Sequence, residues 1–130
     1  MTALFNNIGF PYTPFNKYHV APKSQRTCDN IVFSSKREME RYIELKMMLK
    51  AGKISGLELQ PEFILISKSE CGRDIKYIAD FQYINLGLDE NNIGEAIVED
   101  VKGVSTKEFK LKWRLVNEKY GKKYNFKIVK

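Results

Sequence analysis

The stretch Ala96-Ile97-Val98-Glu99-Asp100-Val101-Lys102-Gly103 decides how the rest of the chain is read. It carries the β-branched Ile97, Val98 and Val101 and a glycine closes it, which predicts a strand that stops just after Lys102. Side chains alternate faces along a strand, so Asp100 and Lys102 share one face while Glu99 and Val101 take the other. Of the two consecutive acids, only Asp100 therefore stands with the lysine. A carboxylate and an ammonium two residues apart at a strand end can meet at one phosphate. The preceding strand, Lys76-Tyr77-Ile78-Ala79-Asp80-Phe81-Gln82-Tyr83, carries a further acid, Asp80, among apolar neighbours. Two carboxylates on adjacent strands plus one lysine are a small kit for metal-assisted phosphodiester cleavage.

Composition narrows the setting. With 130 residues the chain is one domain by length and buries one real core. Its 22 basic and 16 acidic residues leave a net charge of +6, which suits an anionic partner as well as a plain solvated surface. Cys28 and Cys71 lie far apart without metal-type spacing and read as free thiols of a reducing cytosol. No apolar run reaches membrane-spanning length, and the N-terminus lacks a signal-peptide layout. The single histidine, His19, excludes a His-rich zinc site, and a Ser-His-Asp triad would have to be built on it. The absence of a glycine-rich phosphate loop argues against a nucleotide-hydrolysing motor.

Working outward along the chain, residues 1–30 lack periodicity and form an irregular arm, with the domain proper over residues 31–130. Pro11, Pro14 and Pro22 interrupt the arm. Phe5, Phe10, Tyr12, Phe15 and Tyr18 alternate with Lys17, Lys23 and Arg26, a pattern that suits base stacking and phosphate contact or simple packing on the domain. Ile31-Val32-Phe33 predicts a brief strand. Ser35 followed by Glu38 is a capping box that opens a helix to about Lys50, with Met39, Tyr42, Ile43 and Met47 as its stripe, flanked by Leu45 and Leu49, and Gly52 near its stop. Leu57 to Ile66 is strand material, with Pro61 marking an edge or bulge in its first half. Asp74 to Ile84 is the second strand, with Ile75, Tyr77, Ala79, Phe81 and Tyr83 on one face and Ile78 and Asp80 on the other. Asn85 to Gly94 is a loop before the third strand. Ser105 with Glu108 is another capping box, opening a helix to about Tyr120 whose buried stripe is Phe109, Trp113, Val116 and Tyr120. Lys107, Lys110 and Arg114 occupy another face of it. Tyr124 to Val129 is the last strand. The order is α-β-β-β-α-β: an antiparallel meander, then a helical crossover.

This order and its acids resemble the PD-(D/E)XK nuclease superfamily, which includes many restriction enzymes and Holliday-junction resolvases. Its signature is an acid on the second strand and an acid-x-lysine on the third, and Ile78-Ala79-Asp80 and Asp100-Val101-Lys102 match it, with Ala79 where a proline often stands. Many members add a glutamate from the first helix, where Glu38 falls. The runs Ser35-Lys36-x-Glu38-x-x-Arg41-Tyr42-x-Glu44-Leu45, Leu59-Gln60-Pro61 and Val98-Glu99-Asp100-Val101-Lys102-Gly103 are also similar to a family of short phage-encoded proteins defined by a domain of unknown function, and the motif order is similar to phage junction-resolving endonuclease. The resemblance covers about residues 30–129. It implies an α/β, restriction-endonuclease-like αβββαβ core with a central mixed sheet flanked by helices. It also implies a Mg²⁺-dependent DNA endonuclease, with Mn²⁺ substituting, of branched or Holliday-junction DNA in phage replication or recombination, working in the cytoplasm of a bacterial host.

On that reading Asp80, Asp100 and the carbonyl of Val101 are metal ligands, Glu38 joins them from the helix, and Lys102 holds or activates the attacking water. Each position has a plainer reading: Asp80 a salt-bridged strand acid, Asp100 with Lys102 a surface ion pair, Glu38 a helix cap. Gln60, Lys107, Lys110 and Arg114 are candidate DNA contacts or a solvated surface. Cutting two strands with one site per chain implies a homodimer. The alternatives are a non-catalytic DNA-binding module, a nuclease subunit that needs a partner, and a phage structural or adaptor protein.

Overall fold

The computed structural model describes residues 20–130. They belong to two compact units that divide after Met39. The aromatic residues expected to form the arm (Phe5, Phe10, Tyr12, Phe15 and Tyr18), together with Lys17 and His19, lie outside the described residues.

In the first unit a single 3-10 turn, Lys23–Gln25, leads into a hairpin of β1 (Thr27–Cys28) and β2 (Ile31–Val32). The loop between them is Asp29-Asn30, with φ of 53° and 63°. Both residues tolerate the left-handed region, and a two-residue hairpin turn with positive φ at both positions matches the strand twist. The Arg26 guanidinium staples this hairpin by donating to the carbonyls of Ala21 (2.9 Å) and Phe33 (2.5 Å). The helix α1 (Lys36–Lys50) begins here and runs on into the second unit. Its start is the expected capping arrangement, in a shifted form: the Ser35 hydroxyl accepts from Glu38 N (3.1 Å), but the Glu38 carboxylate reaches Ser34 rather than Ser35.

The second unit is built on a four-stranded sheet of order β3-β6-β7-β8: β3 (Ile54–Leu59), β6 (Phe81–Asn85), β7 (Ala96–Val101) and β8 (Tyr124–Val129). β6 runs antiparallel to both β3 and β7, and β8 lies parallel to β7. Parallel neighbours need a crossover, and α2 (Lys107–Tyr120) supplies it. The result is the expected α/β class, a mixed central sheet with two helices, compatible with a restriction-endonuclease-like core.

The two longest expected strands are each broken. Leu57 to Ile66 divides into β3 and β4 (Glu62–Ile66), and Asp74 to Ile84 divides into β5 (Ile75–Ile78) and β6. β4 and β5 pair only with each other, in a separate two-stranded sheet. The long hairpin therefore turns a corner. On one strand the corner is Gln60-Pro61, where Gln60 takes φ 52° and Pro61 has no N–H to give. On the other it is Ala79-Asp80. Gln60 N donates to Asp80 O (3.0 Å) and Ala79 N to Pro61 O (3.1 Å), so the ladder stays satisfied through the bend.

The corner changes which face each side chain meets. Uninterrupted alternation placed Tyr77 and Tyr83 together. Instead Tyr77 reaches Asp100 and Tyr83 reaches Glu99, neighbours on opposite faces of β7. On the Asp100 face lies the main core: Phe63 and Leu65 of β4, Tyr77, Ala79, Val98, Val116 of α2 and Phe126 of β8, with Phe109, Trp113, Tyr120 and Tyr124 packed around them. Phe63 is its hub, with the rings of Tyr120, Tyr124 and Phe126 edge-on at 5.2–5.3 Å, a favoured aromatic geometry. The stripe expected on α2 is all in this core. On the Glu99 face, Tyr42 of α1 stacks on Phe81 at 6.5 Å.

Two local expectations change. The expected stripe of α1 holds at Tyr42 and at its flank Leu45, both buried, but not at Ile43 and Met47, which are 39% and 66% exposed. The reason is Arg41, whose tie to Glu99 fixes which side of the helix faces the sheet. The cap of α2 is Thr106, not Ser105: the Thr106 hydroxyl accepts from Phe109 N at 3.1 Å, which leaves Glu108 outside the box. Ile75 and Ile78, for their part, are both exposed.

Candidate active site

The site is built where the corner of the hairpin meets the end of β7. Asp80 follows β5 and precedes β6, and its main chain is pinned to the neighbouring strand by Asp80 N donating to Glu99 O (3.0 Å). Its carboxylate accepts from the main-chain N–H of Val101 at 2.7 Å. That bond lays the Asp80 side chain along the Asp100-Val101 peptide. Asp100 is buried and takes two partners of its own. The Tyr77 hydroxyl donates to one carboxylate oxygen at 2.6 Å, and the Lys102 ammonium stands 3.5 Å from the other. Lys102 is about one-third exposed, so this pair opens on solvent at one side only. The ammonium also lies over the Phe109 ring, 4.8 Å from its centroid, a cation–π contact that holds it near the carboxylate.

Sequence alternation thus assigns Asp100 and Lys102 correctly to one face. Asp80 joins them through the corner. The residue that sequence reading missed is Tyr77, which looked like core because the second strand reads as one continuous run. Burial first, and then the hydrogen bond to Asp100, push its phenol well above the ordinary tyrosine value, so it is a protonated donor at any working pH.

Glu99 has the opposite role. It is 1% exposed and forked by Arg41, with Nε to Oε1 at 2.8 Å and Nη2 to Oε2 at 2.6 Å. The Tyr83 hydroxyl donates to Oε2 as well. Arg41 also donates to Glu44 at 2.9 Å. The hydrogen bond to Glu99 dominates in holding the guanidinium protonated far above its usual range. With a bidentate arginine and a phenol on it, Glu99 is committed to joining α1 and the sheet.

The remaining expected residues fall as follows. Glu38 lies in the first unit, buried, with one carboxylate oxygen accepting from Ser34 N (3.0 Å) and the Ser34 hydroxyl (2.6 Å). Gln60 is exposed and forms the bend itself. Lys107, Lys110 and Arg114 are exposed on α2. The cations that line the cavity beside Asp100, however, are Lys102, Lys76 of β5 and Lys112.

Among the described residues, no group of three or more His, Cys, Asp and Glu side chains is placed to hold a metal ion. The donor set on offer is the pair Asp80 and Asp100. That set fits Mg²⁺, which binds through one or two carboxylates, keeps several waters and takes further oxygens from a substrate phosphate. It does not fit a closed structural site for zinc, which needs four nitrogen or sulfur ligands.

Fold and site together define an α/β protein with a mixed sheet, whose central strand ends in a buried aspartate beside a lysine. Within that class, the chain belongs to the family described as a protein of unknown function (DUF1064), whose model matches residues 16–130. No curated protein and no solved structure matches it. Among the described residues, no helix is long and apolar enough to cross a membrane.

Proposed function

We propose that this protein is a Mg²⁺-dependent nuclease of DNA, of the PD-(D/E)XK type, acting on branched DNA. The observation that carries the reading is the convergence at one strand end: Asp80 on the amide of Val101, and Asp100 between Tyr77 and Lys102. Two stretches that are separate in sequence, residues 77–80 and 100–102, meet at that point. An ordinary surface ion pair has no need of a buried phenol behind it or of a second carboxylate laid on its peptide.

Asp80 and Asp100 would hold the cation. When bound, the ion supplies the positive charge that offsets the phosphodiester and makes water a better nucleophile. The chain's own residues do the rest. The Val101 amide fixes Asp80, and Tyr77 fixes Asp100, so both acids are oriented before substrate arrives. The Lys102 ammonium, 3.5 Å from Asp100 and open to solvent on one side, orients the attacking water against the phosphate. It also stabilises the negative charge that grows on the phosphate oxygens as the P–O bond breaks. The net charge of +6 supports attraction to a polyanion.

The test is cleavage of branched, nicked and linear DNA of one sequence in Mg²⁺ or Mn²⁺, with wild type beside Asp100→Ala. Cleavage by wild type and none by the variant is expected. Equal cleavage by both removes Asp100 from the chemistry. Salt-sensitive binding without cleavage in any divalent ion would make the protein a DNA-binding module instead.

A further inference from the structure

Beside Asp100 and Lys102 lies a cavity of about 270 Å³ between the first turns of α2 and strand β5. Its lining is mixed. Tyr77, Ile78 and Phe109 are the apolar part of the lining; Lys76, Lys102 and Lys112 are the cationic part, and the acids Asp100 and Glu108 stand beside Lys102 and Lys112. An aromatic surface with cations at its edge is how proteins hold unpaired nucleic acid: the base stacks or packs, and the charges take the phosphates.

Size and charge both restrict the occupant. At about 30 Å³ per water, the cavity holds roughly nine waters' worth of space, a little less than the smallest drug-sized pockets. That admits one nucleoside, not a stacked pair of bases. The cations are available to a ligand. Lys76 is paired with Glu62 at 3.0 Å and Lys112 with Glu108 at 3.4 Å, but those glutamates are 54% and 78% exposed. Such pairs contribute little and give way to a phosphate. Ile78, half exposed, extends the apolar part of the lining toward solvent.

We propose that this cavity seats one unpaired nucleotide next to the bond to be cut, its base against Phe109 and Ile78 and its phosphate against Lys76 and Lys112. The proposal rests on the nuclease reading above and gives it a substrate rule. A continuous duplex keeps its bases stacked and must spend unstacking energy to fill the cavity, whereas a fork, flap or gap already offers a free nucleotide. The protein therefore selects DNA with an unpaired nucleotide at the cut site.

The experiment is binding of the full-length protein, in EDTA, to a labelled continuous duplex and to the same duplex with a short single-stranded gap. Anisotropy gives the affinity. Trp113, the only tryptophan of the chain, reports on the cavity by fluorescence, because its ring lies 5.6 Å from that of Phe109. The gapped duplex should bind about tenfold more tightly, the order expected for seating one base, and should alone change Trp113 emission. Phe109→Leu should lower gapped-duplex affinity about tenfold, with a several-fold smaller effect on continuous duplex. Ile78→Ser, at an exposed position that folding tolerates, should reduce the preference in the same direction. Equal affinity of wild type for the two DNAs overturns the proposal, as does a preference untouched by both variants. Because no metal is present, this result is independent of cleavage. DNA cutting without the binding preference removes the cavity's role and leaves the nuclease reading. The binding preference with no cutting removes the nuclease reading and leaves the cavity.

Discussion

Replacing Glu99 by glutamine and Asp100 by asparagine changes adjacent residues in the same way, and on the proposed function the outcomes are opposite. Glu99 is buried under a bidentate guanidinium and a phenol. Neutralising it strands a half-buried charge, a change that costs about 3–5 kcal/mol in buried pairs. Arg41 keeps Glu44, which is 45% exposed, so the lower end, about 3 kcal/mol, applies. With an unfolding entropy of about 2.1 cal/mol/K per residue, a chain of 130 residues loses roughly 4 °C in Tm per kcal/mol, or about 11 °C in all. Asp100→Asn keeps an acceptor for Tyr77, and Lys102 is free to turn to solvent, so its cost is at most about 1 kcal/mol. In cleavage the order reverses. Asp100→Asn should lose activity by at least about a hundredfold, the scale of removing one group that stabilises the reacting charge, while Glu99→Gln, assayed well below its own Tm, should stay within a few-fold of wild type. Thermal unfolding by circular dichroism and cleavage of a branched substrate, measured on the same preparations, give both numbers. A Glu99→Gln protein of wild-type Tm and no activity, beside an Asp100→Asn protein that cuts normally, would exchange the roles and refute the face assignment.

Three further outcomes follow from the same geometry. Tyr77→Phe removes the donor to Asp100, and should weaken Mn²⁺ binding, followed by electron paramagnetic resonance, about tenfold, the usual effect of deleting a partner behind a metal ligand; unchanged affinity would make Tyr77 core alone. Tyr77 and Tyr83 both have phenols raised by burial first and by their carboxylate partners second. Between the ordinary tyrosine value near 10 and the raised folded values, the unfolded chain holds fewer protons, so stability is full below about pH 10 and falls as pH rises. Urea midpoints from pH 8 to 11 should show this fall, and the double variant Tyr77→Phe/Tyr83→Phe should flatten it. Gln60 sits at φ 52°, so Gln60→Gly should stabilise the chain by about 0.5–1 kcal/mol, a rise of a few degrees in Tm; a loss would mean that the Gln60 side chain holds the bend.

What the sequence makes legible is what local rules decide. β7, α2 and β8 fall within a residue or two of their expected bounds, because alternation, a threonine or serine cap and the Tyr120-Gly121 stop are short-range signals. Asp100 and Lys102 share a face for the same reason. The corner is not legible. Pro61 signals an interruption, but nothing in Ile78-Ala79-Asp80-Phe81 does, and the break there comes from main-chain bonds to Pro61 and Glu99. The face of α1 is equally hidden. It is set by an ion pair between residues 58 positions apart, which hydrophobic spacing does not register; that spacing alone includes Ile43 and Met47 in the stripe. Tyr77 was lost to the site for the same reason as the corner.

Placing the anchoring acid and the candidate metal acid side by side has a mechanical consequence. β7 is held through Glu99 to α1 and through Asp100 to Tyr77, while Asp80 grips the amide of Val101, the very next residue. A strand tied on both faces within three residues cannot slide. A slip of one position would turn Glu99 to the Tyr77 face and Asp100 to the arginine face, and leave an apolar valine in the place of one of them. Register, normally a matter of apolar side chains, is here written in charge. The Glu99 pair is costly to bury and adds little net stability beside an apolar equivalent. What it supplies is a fixed position for its neighbour, and on the proposed function, in which Asp100 shares a cation with Asp80, that position matters more than a more stable fold.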